Sequence, residues 1–311
     1  MTPRIAFISA SFDMGPLAAR LRALRPEWRI HVWPESGWDE AEVAVSWDVP
    51  EGIYAQMPRL ALVHGIAAGV DNIIGGHDLR ELAVCRVIDS AQTRGMVDYV
   101  LWGVLYFQRY FDQVLAQQRR GEWRRPPLRD ARDCRVGIMG LGAMGANVAR
   151  ALATQGYRVS GFSRTPRPVE GVETFAGDAQ WHAFLAPVDI LVCTLPLTPA
   201  TRNILSRETF DRLRQGAALI HAGRGEQLVP EDLREALKSG RLRGAVVDVF
   251  AREPLPPDDP LWRMPGLVVT PHMATLASSE TILSQIADNV ERLIRGEALN
   301  HRVDVSAYAL D

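Results

Sequence analysis

The sequence predicts an α/β protein built on parallel strands, and three observations carry that reading. Short apolar runs alternate with helical patterns almost throughout the 311 residues. Several of these runs are continuous and β-branched, as in Ile190–Thr194 and Ala245–Val249, the pattern of strands covered on both faces. The length, with 47% of residues hydrophobic and 23% charged, suits two domains with real cores.

In chain order, Ile5–Ser9, His31–Trp33, Val43–Trp47, Leu60–Val63 and Val84–Ile88 read as strands. The most apolar stretch follows, Val97–Phe111. It falls short of the roughly twenty consecutive apolar residues that a membrane span needs, and Asp98, Gln108 and Arg109 interrupt it. It reads as a helix buried on nearly all sides, inside the protein or against a partner subunit. From Arg119 to Arg135 come seven arginines against three acids, with Pro126–Pro127 in the middle, which reads as an exposed, solvated crossover. A second strand series is Arg135–Met139, Arg158–Phe162, Ile190–Thr194, Ala217–His221, Ala245–Val249 and Leu267–Thr270. Met144, Val148 and Ala151 or Leu152 line one face of the helix after the first of these. Leu283, Ile286, Val290 and Leu293 recur at helical spacing near the end.

Thirty-five basic and thirty-seven acidic residues give a net charge of −2, so no global field draws nucleic acid. Cys85, Cys134 and Cys193 are few, odd in number and in no close pair, which fits a reducing compartment and neither a disulfide framework nor a metal site. The first residues hold only a short apolar run and no signal-peptide pattern. A cytoplasmic protein with no membrane and no nucleic-acid partner is expected.

The strongest local signal is Gly140-x-Gly142-x-x-Gly145, which runs straight out of the Arg135–Met139 strand into a helix. The first glycine allows the tight turn, the second lets backbone approach a pyrophosphate, and the third lets helix pack on strand. Ala143 and Met144 then open the helix, whose free N–H groups and dipole favour phosphate. A bare glycine turn also serves plain structure, but the strand–turn–helix setting points to a dinucleotide. About twenty residues on, an NAD site carries a carboxylate for the ribose hydroxyls. Here the strand ends in Ser163-Arg164-Thr165, with Arg167 following and no acid. Arg164 can stack on adenine and pair with a 2′-phosphate, while Ser163 and Thr165 can donate to it. NADPH is therefore expected over NADH.

Three later segments put a reactive residue just after a strand: Ala222-Gly223-Arg224-Gly225, Asp248 through Glu253-Pro254, and Thr270-Pro271-His272. Singly, they read as a surface arginine, a loop acid and a locally satisfied histidine. Together, downstream of the glycine turn, they are more specific. In order they resemble the D-isomer-specific 2-hydroxyacid dehydrogenases, and Gly65-Ile66-Ala67-Ala68-Gly69-Val70-Asp71 matches that family's substrate loop. The resemblance covers nearly the whole chain. Ser163-Arg164-Thr165, Arg252 through Pro257 and Pro260-Leu261-Trp262 look like its NADPH-dependent glyoxylate/hydroxypyruvate reductases.

The resemblance implies a site that 2-oxoacid chemistry also asks for. Arg224 would fork onto the substrate carboxylate and carbonyl. His272 would give the proton during reduction and take it back in reverse. Glu253 would hold that ring in its charged form. Backbone N–H groups of Ala67, Ala68, Gly69 and Val70 would complete the carboxylate cradle. Asp248 would contact nicotinamide or its ribose. Leu195, Pro196, Thr201, Ala222 and Gly223 would make further cofactor contacts, although a plain strand-ending turn also explains Leu195–Pro196. Asp98 replaces the family's usual glutamate on the apolar helix, Met273 follows the histidine, and His64 precedes the substrate loop. Trp47, Met96 and Trp102 would shape the pocket or serve the core.

By the same resemblance the fold is two Rossmann-like, doubly wound parallel-sheet domains. The substrate domain, flavodoxin-like and discontinuous, would span 1–98 and 284–311, around a dinucleotide domain at 99–283. A helix Ser278–Arg295 would cross back, carrying the tail His301–Asp311 to the substrate domain. The active site would lie in a cleft that closes over its ligands, and Val97–Phe111 would form a homodimer seam. The expected activity is NADPH-dependent reduction of a small 2-oxoacid, glyoxylate or hydroxypyruvate. One alternative is an NAD-linked dehydrogenase of a bulkier acid such as phosphoglycerate. The other is a nucleotide-sensing protein of the corepressor type. Formate oxidation is disfavoured, because that relative uses glutamine where Glu253 stands.

Overall fold

The alternation of apolar runs and amphipathic stretches becomes two parallel sheets in a computed structural model that describes residues 2–77, 79, 82–275 and 277–305. The chain divides into two units, one of 1–92 with 276–311 and one of Thr93–Thr275. Both joins fall a few residues earlier than the bounds read from the sequence, the second because the returning helix belongs whole to the first unit. Residues 306–311 of the expected tail lie outside the described residues.

In the first unit, β1 (Arg4–Ile8), β2 (Arg29–Val32), β3 (Val43–Ser46), β4 (Leu62–Gly65) and β5 (Ala83–Cys85) form one sheet. Its order is β2-β1-β3-β4-β5 with every pairing parallel. This is the flavodoxin-like order. Helices α1 (Gly15–Leu24) and α2 (Asp71–Ile74) belong to it. A break follows β5, where α3 (Ser90–Gln108) begins, and α4 (Phe111–Arg119) continues after a turn at Tyr110, which has φ +58°.

The second unit carries β6 (Arg135–Met139), β7 (Arg158–Ser163), β8 (Glu173–Ala176), β9 (Ile190–Cys193), β10 (Ala217–His221), β11 (Leu242–Val247) and β12 (Leu267–Val269). Their order is β12-β11-β10-β9-β6-β7-β8, again all parallel. Counted from β6, this is the dinucleotide-binding order 3-2-1-4-5-6 with one strand added, and its direction reverses between β6 and β9. Helices α5 (Ala143–Thr154), α6 (Asp178–Leu185), α7 (Arg207–Arg212) and α8 (Pro230–Lys238) connect the strands.

Helix α9 (Ser279–Arg295) returns to the first unit. The Ser278 hydroxyl accepts the Thr281 N–H to cap it, and Gly296 ends it at φ +66°. Ile282, Leu283, Ile286 and Val290 pack with Ile5, Phe7, Leu17 and Leu21. The segment beyond pairs back onto β5, with the Val303 N–H donating to the Val84 carbonyl. The first unit is thus discontinuous in sequence.

Of the two ways the apolar stretch was expected to be covered, inside the protein or against a partner subunit, this chain alone supplies the first on one face only. Met96, Val100, Val104 and Phe107 face the second unit's core, while Trp102 and Leu105 on the opposite side of α3 are exposed. A 3.6-residue period puts these two sets on opposite faces. Because both faces carry large apolar side chains, the pattern along the chain did not reveal which one meets solvent. No helix among the described residues is long and apolar enough to cross a membrane. Nor was β8 legible in the sequence, since Glu173–Ala176 is short, half exposed and pairs only at the sheet edge.

Candidate functional site

The glycine turn leaves β6 at the point where strand order reverses, where open α/β sheets bind ligands. Gly140 sits at φ +98°, the left-handed region that favours glycine. A Cβ on Gly145 would lie 1.8 Å from the Gly140 carbonyl oxygen, so only glycine lets α5 sit this close. At Gly142 a Cβ would meet nothing within 4 Å. That position opens onto free space, room for a ligand, and no protein packing demands the glycine there. Gly142 is also the N-cap of α5, and no side chain caps it. First-turn amides, including those of Ala143 and Met144, are thus left to an external acceptor.

The end of β7 flanks this turn. Ser163 donates its hydroxyl proton to the Thr165 carbonyl at 2.7 Å, holding the loop in a tight bend. Arg164 is exposed, and no hydrogen bond or ion pair engages it among the described residues. Arg167 donates to the Leu141 carbonyl at 2.9 Å and so ties this loop to the glycine turn. The donor set fits a dinucleotide with a phosphorylated ribose: an uncapped helix start, open space over Gly142, an uncommitted guanidinium and no carboxylate.

Three more loops leave the same carboxyl edge. After β9, the Thr201 hydroxyl donates to the Pro196 carbonyl at 2.7 Å and accepts the Thr198 N–H at 2.8 Å, which folds Leu195–Thr201 on itself. After β10 comes Ala222-Gly223-Arg224. After β11 comes Asp248, only 1% exposed. Its carboxylate accepts the Thr270 hydroxyl at 2.6 Å and the Met273 and Ala274 N–H groups at 2.9 and 2.8 Å. The Tyr99 and Thr270 hydroxyls are themselves 2.6 Å apart. Asp248 therefore brackets the loop that carries His272.

That support has a physical purpose. His272 stands at φ +50°, where side chains other than glycine are strained. Its N–H donates to the Asp248 carbonyl at 2.8 Å, so the aspartate holds both sides of the strained residue. The His272 Nδ1 lies 2.6 Å from Glu253 Oε2, and the other Glu253 oxygen accepts the Phe250 N–H at 2.8 Å. Partial burial pushes the Glu253 carboxyl up. Hydrogen bonds from His272 and Phe250, and the charges of His272 and Arg224, outweigh it and set the carboxyl below its ordinary value. With Nδ1 held by an ionised partner, the ring's other nitrogen is the one left to exchange a proton.

Arg224, Glu253, His272 and Asp248 thus come together in the second unit, along with every expected cofactor residue. Ala67, Ala68, Gly69 and Val70 lie in the first unit, between β4 and α2. There the Ala67 carbonyl accepts the Val87 N–H at 3.0 Å, and the Val70 side chain is core. Two buried polar residues were not singled out from the sequence. Gln227 accepts the Arg224 N–H, and His221 lies against the Arg224 carbonyl. The signal for Gln227 was available: glutamine three residues after the start of a helical turn reaches back to the first amide.

The model of the D-isomer specific 2-hydroxyacid dehydrogenase NAD-binding domain matches residues 101–274. The chain belongs to this family of oxidoreductases. It is 35% identical over 307 residues to glyoxylate/hydroxypyruvate reductase A of Serratia proteamaculans, covering 97% of this chain and 98% of that one. A D-isomer specific 2-hydroxyacid dehydrogenase family protein from Klebsiella pneumoniae superposes with a TM-score of 0.93 at 40% identity, over 99% of both chains. The NADPH-dependent glyoxylate/hydroxypyruvate reductase of Sinorhizobium meliloti, solved with NADP and sulfate, gives 0.89 at 32% identity, over 98% of this chain and 99% of that one. In this 2-hydroxyacid dehydrogenase, the shared fold places the glycine turn, the arginine loop and the histidine loop on one sheet edge.

Proposed function

We propose that this dehydrogenase reduces a small 2-oxoacid, glyoxylate or hydroxypyruvate, with NADPH. The observation that carries the proposal is the Glu253–His272 pair, which shares a sheet edge with Arg224 and with a glycine turn flanked by Arg164. The Serratia and Sinorhizobium relatives, named for this activity, support it.

The cofactor, when bound, supplies a hydride to the carbonyl carbon; the chain's own residues do the rest. Gly140, Gly142 and the first amides of α5 would hold the pyrophosphate, and Arg164 and Thr165 would hold the 2′-phosphate, joined by Ser163 once its hydroxyl turns from the Thr165 carbonyl. Leu195, Pro196, Thr201, Ala222 and Gly223 border the remainder of the nucleotide, and Asp248 orders the loop beside it. Arg224 pairs with the substrate carboxylate and polarises the carbonyl. His272 gives its Nε2 proton to the carbonyl oxygen as charge develops there, while ionised Glu253 keeps Nδ1 protonated and the ring aligned. In the reverse direction the neutral ring takes the hydroxyl proton.

The apolar side chains left open along α3 and α4 support a homodimer, and the three free, buried cysteines suit the cytoplasm. The test is steady-state turnover of a 2-oxoacid panel with each cofactor. The expected result is reduction of glyoxylate and hydroxypyruvate with NADPH preferred, abolished in His272→Ala. Binding of NADPH with no turnover of any 2-oxoacid identifies a sensor and overturns the proposal. A preference for NADH and bulkier acids overturns its specificity.

A further inference from the structure

We propose that Gln227 is a positioning residue that locks the backbone of Arg224 to the Leu195–Pro196 loop, with His221 closing the clamp, so that substrate and cofactor affinity depend on one buried amide. Gln227 is fully buried. Its Oε1 accepts the Arg224 N–H at 2.9 Å, and its Nε2 donates to the Leu195 and Pro196 carbonyls at 3.2 and 2.9 Å. Only this orientation of the amide works. Turned over, it would set two N–H groups against an N–H and an oxygen against two carbonyls. A buried amide costs free energy unless each polar atom is paired. A leucine would fill similar space without that cost, so packing alone does not call for glutamine.

The partners give the residue its meaning. Besides the Cys193 thiol, which donates to Oε1 at 3.7 Å, its partners are three backbone groups of two loops, one after β9 and one after β10. The Pro196 carbonyl is also the acceptor of the Thr201 hydroxyl, so the amide grips the loop where it is already ordered. The Arg224 carbonyl is held as well, by the Gln227 N–H at 3.0 Å and by His221 Nε2 at 2.9 Å. His221 is fully buried, and burial pushes its ring down to about 4, so it is neutral and its one proton sits on Nε2. Both peptide groups flanking the Arg224 Cα are thereby fixed, which sets the direction from which its guanidinium leaves. Gly223 makes the clamp possible, since a Cβ there would lie 2.3 Å from Gln227 Oε1.

The inference rests on reading Arg224 as the carboxylate-binding group and Leu195–Pro196 as a cofactor loop. Its test separates the two. The NADPH Kd is measured by nucleotide fluorescence without substrate, and KM and kcat are measured for glyoxylate at saturating NADPH. In folded Gln227→Leu, the NADPH Kd and the glyoxylate KM should each rise about tenfold, with a smaller change in kcat. Gln227→Glu at pH 8.5 keeps the acceptor for Arg224 but loses the donors to the cofactor loop. It should raise the NADPH Kd while KM returns toward wild type. A folded leucine variant with both constants within about twofold of wild type overturns the clamp, whatever its melting temperature. Where that variant does not fold, an unchanged NADPH Kd in the glutamate variant overturns it instead. Wild type that binds NADPH but turns over no 2-oxoacid defeats the functional reading, while the clamp is still read on the Kd; wild type that binds no NADPH defeats both.

Discussion

A histidine that hands over a proton needs one nitrogen fixed and the other open, and at His272 the fixing is done by Glu253 at 2.6 Å. Replacing that carboxylate tests both chemistry and stability. Glu253→Gln should lower kcat about a hundredfold, the scale of a lost acid–base arrangement. The stability effect has a definite sign. Glu253 is held below its ordinary 4.5, so its stabilising contribution is complete above that value and disappears as pH falls through the lowered one. The melting-temperature gap between wild type and Glu253→Gln should therefore be widest near neutrality and narrow below about pH 4.5. A gap that stays constant into acid rejects the ion pair. The cofactor end has a matching test. Ser163→Asp with Arg164→Leu puts a carboxylate where a 2′-phosphate would sit and removes its partner, so the kcat/KM ratio of NADPH to NADH should fall by at least tenfold, about 1.4 kcal/mol. An unchanged ratio rejects the phosphate site.

At the scale of elements, what the sequence disclosed depended on how local the signal was. The glycine turn was legible because Gly140, Gly142 and Gly145 act within six residues, each by backbone geometry. Gly145→Ala brings a methyl to 1.8 Å from the Gly140 carbonyl, so α5 has to move off β6. That variant should lose most NADPH binding by fluorescence titration while the first unit keeps its fold; retained affinity would mean that the turn does not position the phosphates. Arg224, Glu253 and His272 were legible for a related reason, since each follows an apolar run that marks a strand end. For Gln227 only the reach back to the Arg224 amide had a local signal; its grip on Leu195 and Pro196 had none, because they lie some thirty residues back and meet it only once β9 and β10 are adjacent. Asp248 was expected to contact the nicotinamide or its ribose, but its carboxylate is buried and accepts three donors from residues 270–274, so it brackets the His272 loop instead, a task no local pattern disclosed. β8 escaped because an edge strand buries little, and Glu173–Ala176 carries no apolar run to betray it.

At the scale of the whole molecule, one feature of the surface calls for a partner. Trp102, Leu105, Phe111, Leu115, Trp123 and Leu128 are all exposed within one continuous stretch, Trp123 and Leu128 almost completely, at 102% and 87%. Scattered exposed apolar side chains are ordinary, but a run of large ones marks an interaction surface. Their presentation is built in. Arg243 on β11 donates to the Phe107 carbonyl and to Asp112, and it stacks over the rings of Phe107 and Tyr110. The start of α4 is thus pinned with Phe111 and Leu115 turned outward. On α3 the helical period puts Trp102 and Leu105 opposite the buried Val100 and Val104. The homodimer proposed above would cover this face with the same face of a second copy related by a two-fold axis, the commonest symmetry among homo-oligomers. Trp102, expected to shape the pocket or serve the core, stands instead on this exposed face, and Trp102→Glu with Leu105→Glu places two carboxylates there. Size-exclusion chromatography with light scattering should find twice the chain mass for wild type and a single chain mass for the variant, whose NADPH affinity should stay within about threefold. A wild-type monomer would refute the dimer outright, and a variant that stays dimeric would move the seam away from α3.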